Sequence, residues 1–166
     1  MALNLIPEVM HDGKPWRFMG IQSKNQTGWF LTHIANLFNS VTTVSFYDTL
    51  GPEATRFCVQ QTQLTTLACT HDCAKNLAQM KKDDKDGEMV TLQNIMIFGL
   101  TDGTVPTDVK DLCQQAGLTI HKVDDVLRKG REVKSSGTVA PGREPLTDDV
   151  LMLSYTSGTT GMPKGV

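Results

Sequence analysis

The residues with most chemistry to offer close the chain, in VLMLSYTSGTTGMPKGV, Val150 to Val166. A short apolar run leads directly into Tyr155–Gly165, which is almost entirely glycine, serine and threonine and finishes in Pro163-Lys164-Gly165. Glycines let backbone amides approach a ligand closely, the hydroxyls of Thr156, Ser157, Thr159 and Thr160 add donors, and Lys164 adds a point charge. That combination suits a polyphosphate. It is not the GxxxxGK[ST] phosphate loop: counted from Gly158 the sixth position is Pro163, and Lys164 is followed by Gly165. A nucleotide held here is held by a different class of loop, and the bland alternative is a Gly/Ser/Thr-rich surface segment.

Other constellations offer less. Cys69-Thr70-His71-Asp72-Cys73 contains C-x-H-x-C, yet structural zinc wants four convergent ligands in two paired knuckles. Cys58 and Cys113, the remaining cysteines, fall on different predicted helices, and all four read as small buried hydrophobes. His33 lies on the apolar face of a predicted helix and reads as a satisfied core or rim histidine. His11, His71 and His121 have no serine or cysteine nucleophile in a recognisable arrangement, so no hydrolase triad is indicated. The mixed-charge run Lys81–Glu88 reads as a solvated loop.

The elements that must position the loop are short β-branched or apolar runs alternating with helical stretches. Predicted strands are Arg17–Gln22, Thr42–Phe46, Thr65–Cys69, Asn94–Phe98, Leu118–Val123 and Val150–Tyr155. Asn25 is the expected N-cap of a first helix whose Trp29, His33 and Leu37 share an apolar face with Phe30, Ile34 and Phe38 beside it. A second helix runs over Pro52–Gln61, with proline at its first position and Glu53 suiting the positive end of its dipole. A third covers Cys73–Lys82, and a fourth covers Thr107–Ala116 and ends on Gly117 as a left-handed cap. Such alternation implies an α/β fold, with a mostly parallel sheet and helices on both faces. Residues 129–149, which include KSSGTVAPGREP, carry no apolar period and are expected to form a surface linker before the last strand.

Composition agrees with one ordinary globular domain. The chain has 166 residues, 39% hydrophobic and 20% charged, with a net charge of −2, which argues against a sequence-independent nucleic-acid binder. No window approaches the ~20 apolar residues of a membrane span, and MALNLIPEVMHDG has neither a basic n-region nor an apolar h-region. The expectation is a cytoplasmic protein with reduced thiols.

The terminal string resembles the signature of the adenylate-forming (AMP-binding) superfamily, in which an apolar residue and two variable positions precede [ST]SG[ST]TG, one variable residue, Pro and Lys. Leu153, Thr156-Ser157-Gly158-Thr159-Thr160-Gly161, Pro163 and Lys164 meet each required position, and Asp148-Asp149-Val150 resembles the acidic lead-in. Upstream, WRFMGIQSKN (Trp16–Asn25) and SVTTVSFYDTLGPEATRF (Ser40–Phe57) resemble the amino-terminal region of eukaryotic long-chain fatty acid CoA ligases. Taken alone, YDTLGPEA is a turn followed by a helix start; with the loop it favours the long-chain acyl branch.

The resemblance implies ATP-dependent activation of a fatty acid to acyl-AMP, then thioesterification to CoA. ATP and Mg2+ are the implied cofactors, and fatty acid, ATP and CoA the small-molecule partners. Thr156, Ser157, Gly158, Thr159, Thr160, Gly161 and Lys164 would hold the ATP phosphates, and Thr156 would help ligate magnesium. It further implies that residues 1–166 are a partial adenylation domain, truncated after the phosphate loop and inactive alone, with the adenine and ribose contacts, the hinge and the C-terminal domain lying beyond Val166. Intact enzymes of this kind can lie on the cytosolic face of the endoplasmic reticulum, peroxisome or mitochondrial outer membrane, but no attachment is encoded here. The competing readings are a non-catalytic nucleotide- or partner-binding α/β module and a relative acting on amino acids or short acyl groups.

Overall fold

The computed structural model describes residues 5–47, 50–137, 143–156 and 163–166. The chain opens with a hairpin of β1 (Val9–His11) and β2 (Lys14–Trp16), joined by Asp12 and Gly13, both at positive φ. Asp-Gly is the pair that a twist-matched two-residue turn favours, so this hairpin was signalled in HDGK although it was not among the predicted strands.

β3 (Phe18–Gln22) follows, buried at every position, then α1 (Thr27–Leu37) and β4 (Thr42–Phe46). Next come α2 (Pro52–Thr62), β5 (Thr66–Cys69), α3 (His71–Lys82), β6 (Asn94–Ile97), α4 (Thr107–Gln115) and β7 (Thr119–Lys122). α5 (Val123–Ser135), β8 (Met152–Thr156) and β9 (Lys164–Gly165) complete the order. The strands lie in the order β7-β6-β5-β3-β4-β8-β9, all parallel except β9, which runs antiparallel to β8.

Right-handed crossovers explain where the helices sit. The chain steps one way from β3 to β4, the opposite way through β5, β6 and β7, and returns to β8. The helices of the opposing steps must therefore cover opposite faces. One core cluster joins Cys58 and Val59 of α2, Leu77 of α3 and Val109 and Cys113 of α4 to Val44, Leu67 and Ile95. On the other face Trp29 of α1 and Val123 of α5 pack on Met19, Ile21, Ala68 and Phe98. The expected α/β class, with helices on both faces of a mainly parallel sheet, is what the structure contains.

Several local expectations need correction. The N-cap of α1 is Gln26, not Asn25, and its side chain makes no capping bond. Packing sets this start: a Cβ on Gly28 would lie 2.6 Å from the Phe98 ring, so only glycine lets the first turn come this close. Phe30 and Phe38, placed beside the buried face by spacing, are 58% and 68% exposed. α3 begins two residues early at His71, because Thr70 Oγ1 accepts the Cys73 amide at 3.4 Å. The linker expected over residues 129–149 is helical through Ser135, as α5 continues on Asp125–Arg128 and Arg128–Glu132 pairs at 3.4 and 3.1 Å.

Gly117 does end the fourth helix at φ +67. The run after Lys82 is a loop as expected, folded back by Asp84, whose carboxylate accepts the amides of Glu88 and Met89 at 3.2 and 2.7 Å. β9 pairs along part of the outer edge of β8.

Two glycines in helices test this packing. Gly28→Ala gains ~1 kcal/mol of helix propensity but meets the Phe98 ring, and overpacking of ~1–3 kcal/mol should win. Gly130→Ala in α5 meets nothing within 4 Å and should gain ~0.4–1 kcal/mol. Urea unfolding should thus move the two midpoints in opposite directions; a stabilised Gly28→Ala protein would show that α1 is not pinned at Phe98.

Candidate phosphate-binding site

The glycine-rich loop is closed by a β-hairpin stem. Thr156 pairs with Lys164 and Tyr155 with Gly165, while Ser154 and Val166 exchange both backbone hydrogen bonds at 2.9 Å. Ser157, Gly158, Thr159, Thr160 and Gly161 lie outside the described residues. Thr156 and Lys164, the two ends of the predicted site, are brought directly opposite one another, both exposed, with Thr156 Oγ1 3.4 Å from the Lys164 carbonyl oxygen. The buried Pro163 precedes the stem. Because β8 is parallel to β4 at Thr43–Met152, Val44–Leu153 and Ser45–Ser154, the loop leaves from the carboxyl end of the sheet. That is the end at which open α/β sheets bind ligands.

Tyr155 fixes the stem to the body, and the loop motif gave no sign of it. Its ring is 2% exposed and its hydroxyl donates to Gln61 Oε1 of α2 at 2.8 Å. Burial, with Cys58 adding a smaller effect, pushes the Tyr155 phenol above its ordinary range, so it remains a donor at neutral pH. The contact spans 94 residues of sequence, and no local period could have announced it. Likewise β9, only two residues long, owes its form to β8 alongside it.

The other candidates are dispersed. All four cysteines are free thiols, three of them buried, and burial pushes Cys58 up to about 12. Among the described residues no group of three or more His, Cys, Asp or Glu could hold a metal ion. His33 Nδ1 lies 3.0 Å from Thr43 Oγ1, which also accepts from Asn36 Nδ2 at 3.0 Å, so His33 is a satisfied histidine between α1 and β4. His121 Nε2 lies 3.0 Å from Asn94 Oδ1, His11 stands edge-on to Phe18, and His71 lies 3.4 Å from Asp72. No helix among the described residues is long and apolar enough to cross a membrane.

Comparison with known proteins agrees with this geometry. Residues 12–166 match the family described as AMP-binding enzyme. The chain is 30% identical over 153 residues to fatty acyl-CoA synthetase B of Dictyostelium discoideum, covering 92% of this chain and 21% of that protein. It is 30% identical over 148 residues to the peroxisomal long chain acyl-CoA synthetase 7 of Arabidopsis thaliana, covering 89% of this chain and 19% of that protein. Among solved structures, the adenylation domain of a carboxylate reductase from Mycobacterium chelonae superposes with a TM-score of 0.72 at 20% identity, covering 89% of this chain and 23% of that one. The chain thus spans about a fifth of the length of the curated relatives it matches.

Two outcomes follow from these contacts. Tyr155→Phe keeps the ring and removes the bond to Gln61, so unfolding should cost ~0.5–1.5 kcal/mol less, and the Ser154 and Val166 amides should exchange faster. Unchanged exchange there would mean that the stem does not lean on α2. Burial lowers the pKa values of His33 and His121 from the ordinary 6.5, with Lys129 adding to the effect on His121. The unfolded chain then binds more protons just below pH 6.5, so this contribution to stability is full above 6.5 and falls as the pH drops through it. Replacing both with Gln should flatten that slope in urea titrations between pH 5 and 7; an unaltered slope would remove the two imidazoles from the acid response.

Proposed function

Because the chain belongs to the AMP-binding enzymes, we propose that the Thr156–Lys164 hairpin loop holds the β- and γ-phosphates of ATP while a fatty carboxylate attacks the α-phosphorus. In that step the carboxylate oxygen bonds to the α-phosphorus, the bond to the bridging oxygen breaks, and pyrophosphate leaves with the electron pair. The CoA thiol then attacks the acyl carbonyl and AMP departs. Residues 1–166 form part of an adenylation domain in this reading, and the complete reaction is proposed for the whole protein, since the matched relatives are about five times longer.

The carrying observation is that Thr156 and Lys164 meet across an exposed stem at the carboxyl end of the sheet, with a glycine- and hydroxyl-rich loop between them. Backbone amides of the glycine-containing segment and the hydroxyls of Ser157, Thr159 and Thr160 would surround the phosphates, with Lys164 set against their charge. Donors fixed before the reaction lower the barrier because they need no reorganisation as charge moves onto the leaving pyrophosphate.

Thr156 also fits a magnesium ligand. Its hydroxyl can give its proton to the Lys164 carbonyl and keep its lone pairs for a hard cation, whose remaining ligands would be phosphate oxygens and water. Bound there, Mg2+ would neutralise phosphate charge.

The long-chain acyl preference is supported by relatives that are named fatty acyl and long chain acyl-CoA synthetases. The peroxisomal name of the plant relative supports the peroxisome among the locations carried over from the sequence resemblance.

Exchange of labelled pyrophosphate into ATP, made with the product of the complete coding sequence, tests the reading. Palmitate should drive exchange, whereas a response to amino acids or acetate alone would overturn the long-chain substrate. Lys164→Ala should remove a charge-assisted contact of ~1.5–3 kcal/mol and slow acyl-AMP formation by about one to two decades. Thioester formation from supplied acyl-AMP should change far less. Equal slowing of both half-reactions, or of neither, would show that Lys164 does not act on the phosphates.

A further inference from the structure

At the sheet edge opposite the hairpin, the loop before α4, the end of β7 and the first turns of α5 border a half-open cleft of about 570 Å³. That is within the range of small-molecule sites. Its wall includes the buried Val105 and the half-buried Ile120.

The charge around it is lopsided. Lys110, Lys122, Arg128 and Lys129 line it with a single carboxylate, Asp125, although the whole chain carries −2. Asp125 is shared, 3.5 Å from Lys122 and 3.4 Å from Arg128. Lys122 also donates to the Gly103 carbonyl at 3.1 Å, and Arg128 reaches Glu132 at 3.1 Å. Those contacts hold two cations in fixed positions. The ammonium groups of Lys110 and Lys129 have no hydrogen-bond or ion-pair partner among the described residues, and no second carboxylate lines the cavity.

The surplus charge is felt inside. Burial and Lys129 together lower the pKa of His121, which also lines the cavity, so that its ring is neutral at pH 7 and adds nothing to the excess. A bound anion would supply the missing partner for Lys110 and Lys129, and Arg128 would add planar donors of the kind that recognise phosphate.

The geometry points to a second binding site here, distinct from the phosphate loop, for a small soluble molecule that joins a phosphate monoester to a short apolar body. The anion meets Lys110 and Lys129, and the apolar part lies along Val105 and Ile120. Concavity favours a free molecule over a lipid headgroup, since a flat membrane surface cannot enter a cleft of this kind.

Titration calorimetry of the 166-residue chain with hexyl phosphate tests it, with hexanol and inorganic phosphate as the two half-ligands. Hexyl phosphate should bind more tightly than either. The double variant Lys110→Gln/Lys129→Gln, whose exposed side chains should leave the circular dichroism unchanged, should bind it at least about tenfold more weakly. Lys164→Ala should bind it as the parent does, which separates this site from the phosphate loop. Undiminished binding in the double variant, loss of binding in Lys164→Ala, or equal binding of hexanol or inorganic phosphate would each overturn the proposal. So would sedimentation with phosphatidic acid vesicles that needs the same lysines when hexyl phosphate does not bind, since that would assign the cations to a membrane surface.

Discussion

Everything in this molecule hangs on β3. Its five residues are buried, all five pair with β4 on one side, and Gly20, Ile21 and Gln22 pair with β5 on the other. A strand in that position has no side chain free of packing, which is the environment parallel sheets require. Gly20 shows how tight the fit is: a Cβ there would lie 2.6 Å from Leu64 and 3.0 Å from Leu67, both fully buried. Once β3 is central, the right-handed crossover rule sends α1 to one face and α2, α3 and α4 to the other.

The two edges of the sheet inherit different roles from this arrangement. At one edge β8 emerges beside β4 with its carboxyl end free to present a loop, and a two-residue strand with a buried tyrosine steadies that loop at its stem. The stem is tied to the sheet by the β8–β9 pairing and to α2 by the Tyr155–Gln61 bond. At the other edge β7 is flanked by α5, whose net of Arg and Lys pairs converges on Asp125. One edge thus brings the Thr156 hydroxyl opposite Lys164, whereas the other gathers side-chain cations around Val105 and Ile120.

Side chains that looked reactive in isolation prove to be structural for identifiable reasons. His33 spends its Nδ1 on a threonine hydroxyl that Asn36 also engages, and His121 is bonded to Asn94 across the sheet. Cys58, Cys69 and Cys113 lie within the main core, where desolvation disfavours the thiolate that nucleophilic or metal chemistry would need.

The sequence by itself determined the alternation of strands and helices, the left-handed cap at Gly117 and the whole loop signature from Leu153 to Lys164. Each of these is a local pattern, written in the period of apolar residues or the fixed spacing of special ones. Tertiary structure alone decided where α1 begins, since Gly28 must lie against Phe98, a residue seventy positions away. It also turned Phe30 and Phe38 outward, although their spacing suited the covered face. It carried α5 through Ser135, where the half-buried Val123, Val126 and Val133 recur at helical spacing and Arg128 pairs with Asp125 and Glu132 on the exposed side. And it set Lys164 against Thr156 through a strand too short to be seen in sequence and a tyrosine bonded 94 residues away. Spacing along a chain reports which side chains share a face; only packing decides what that face meets.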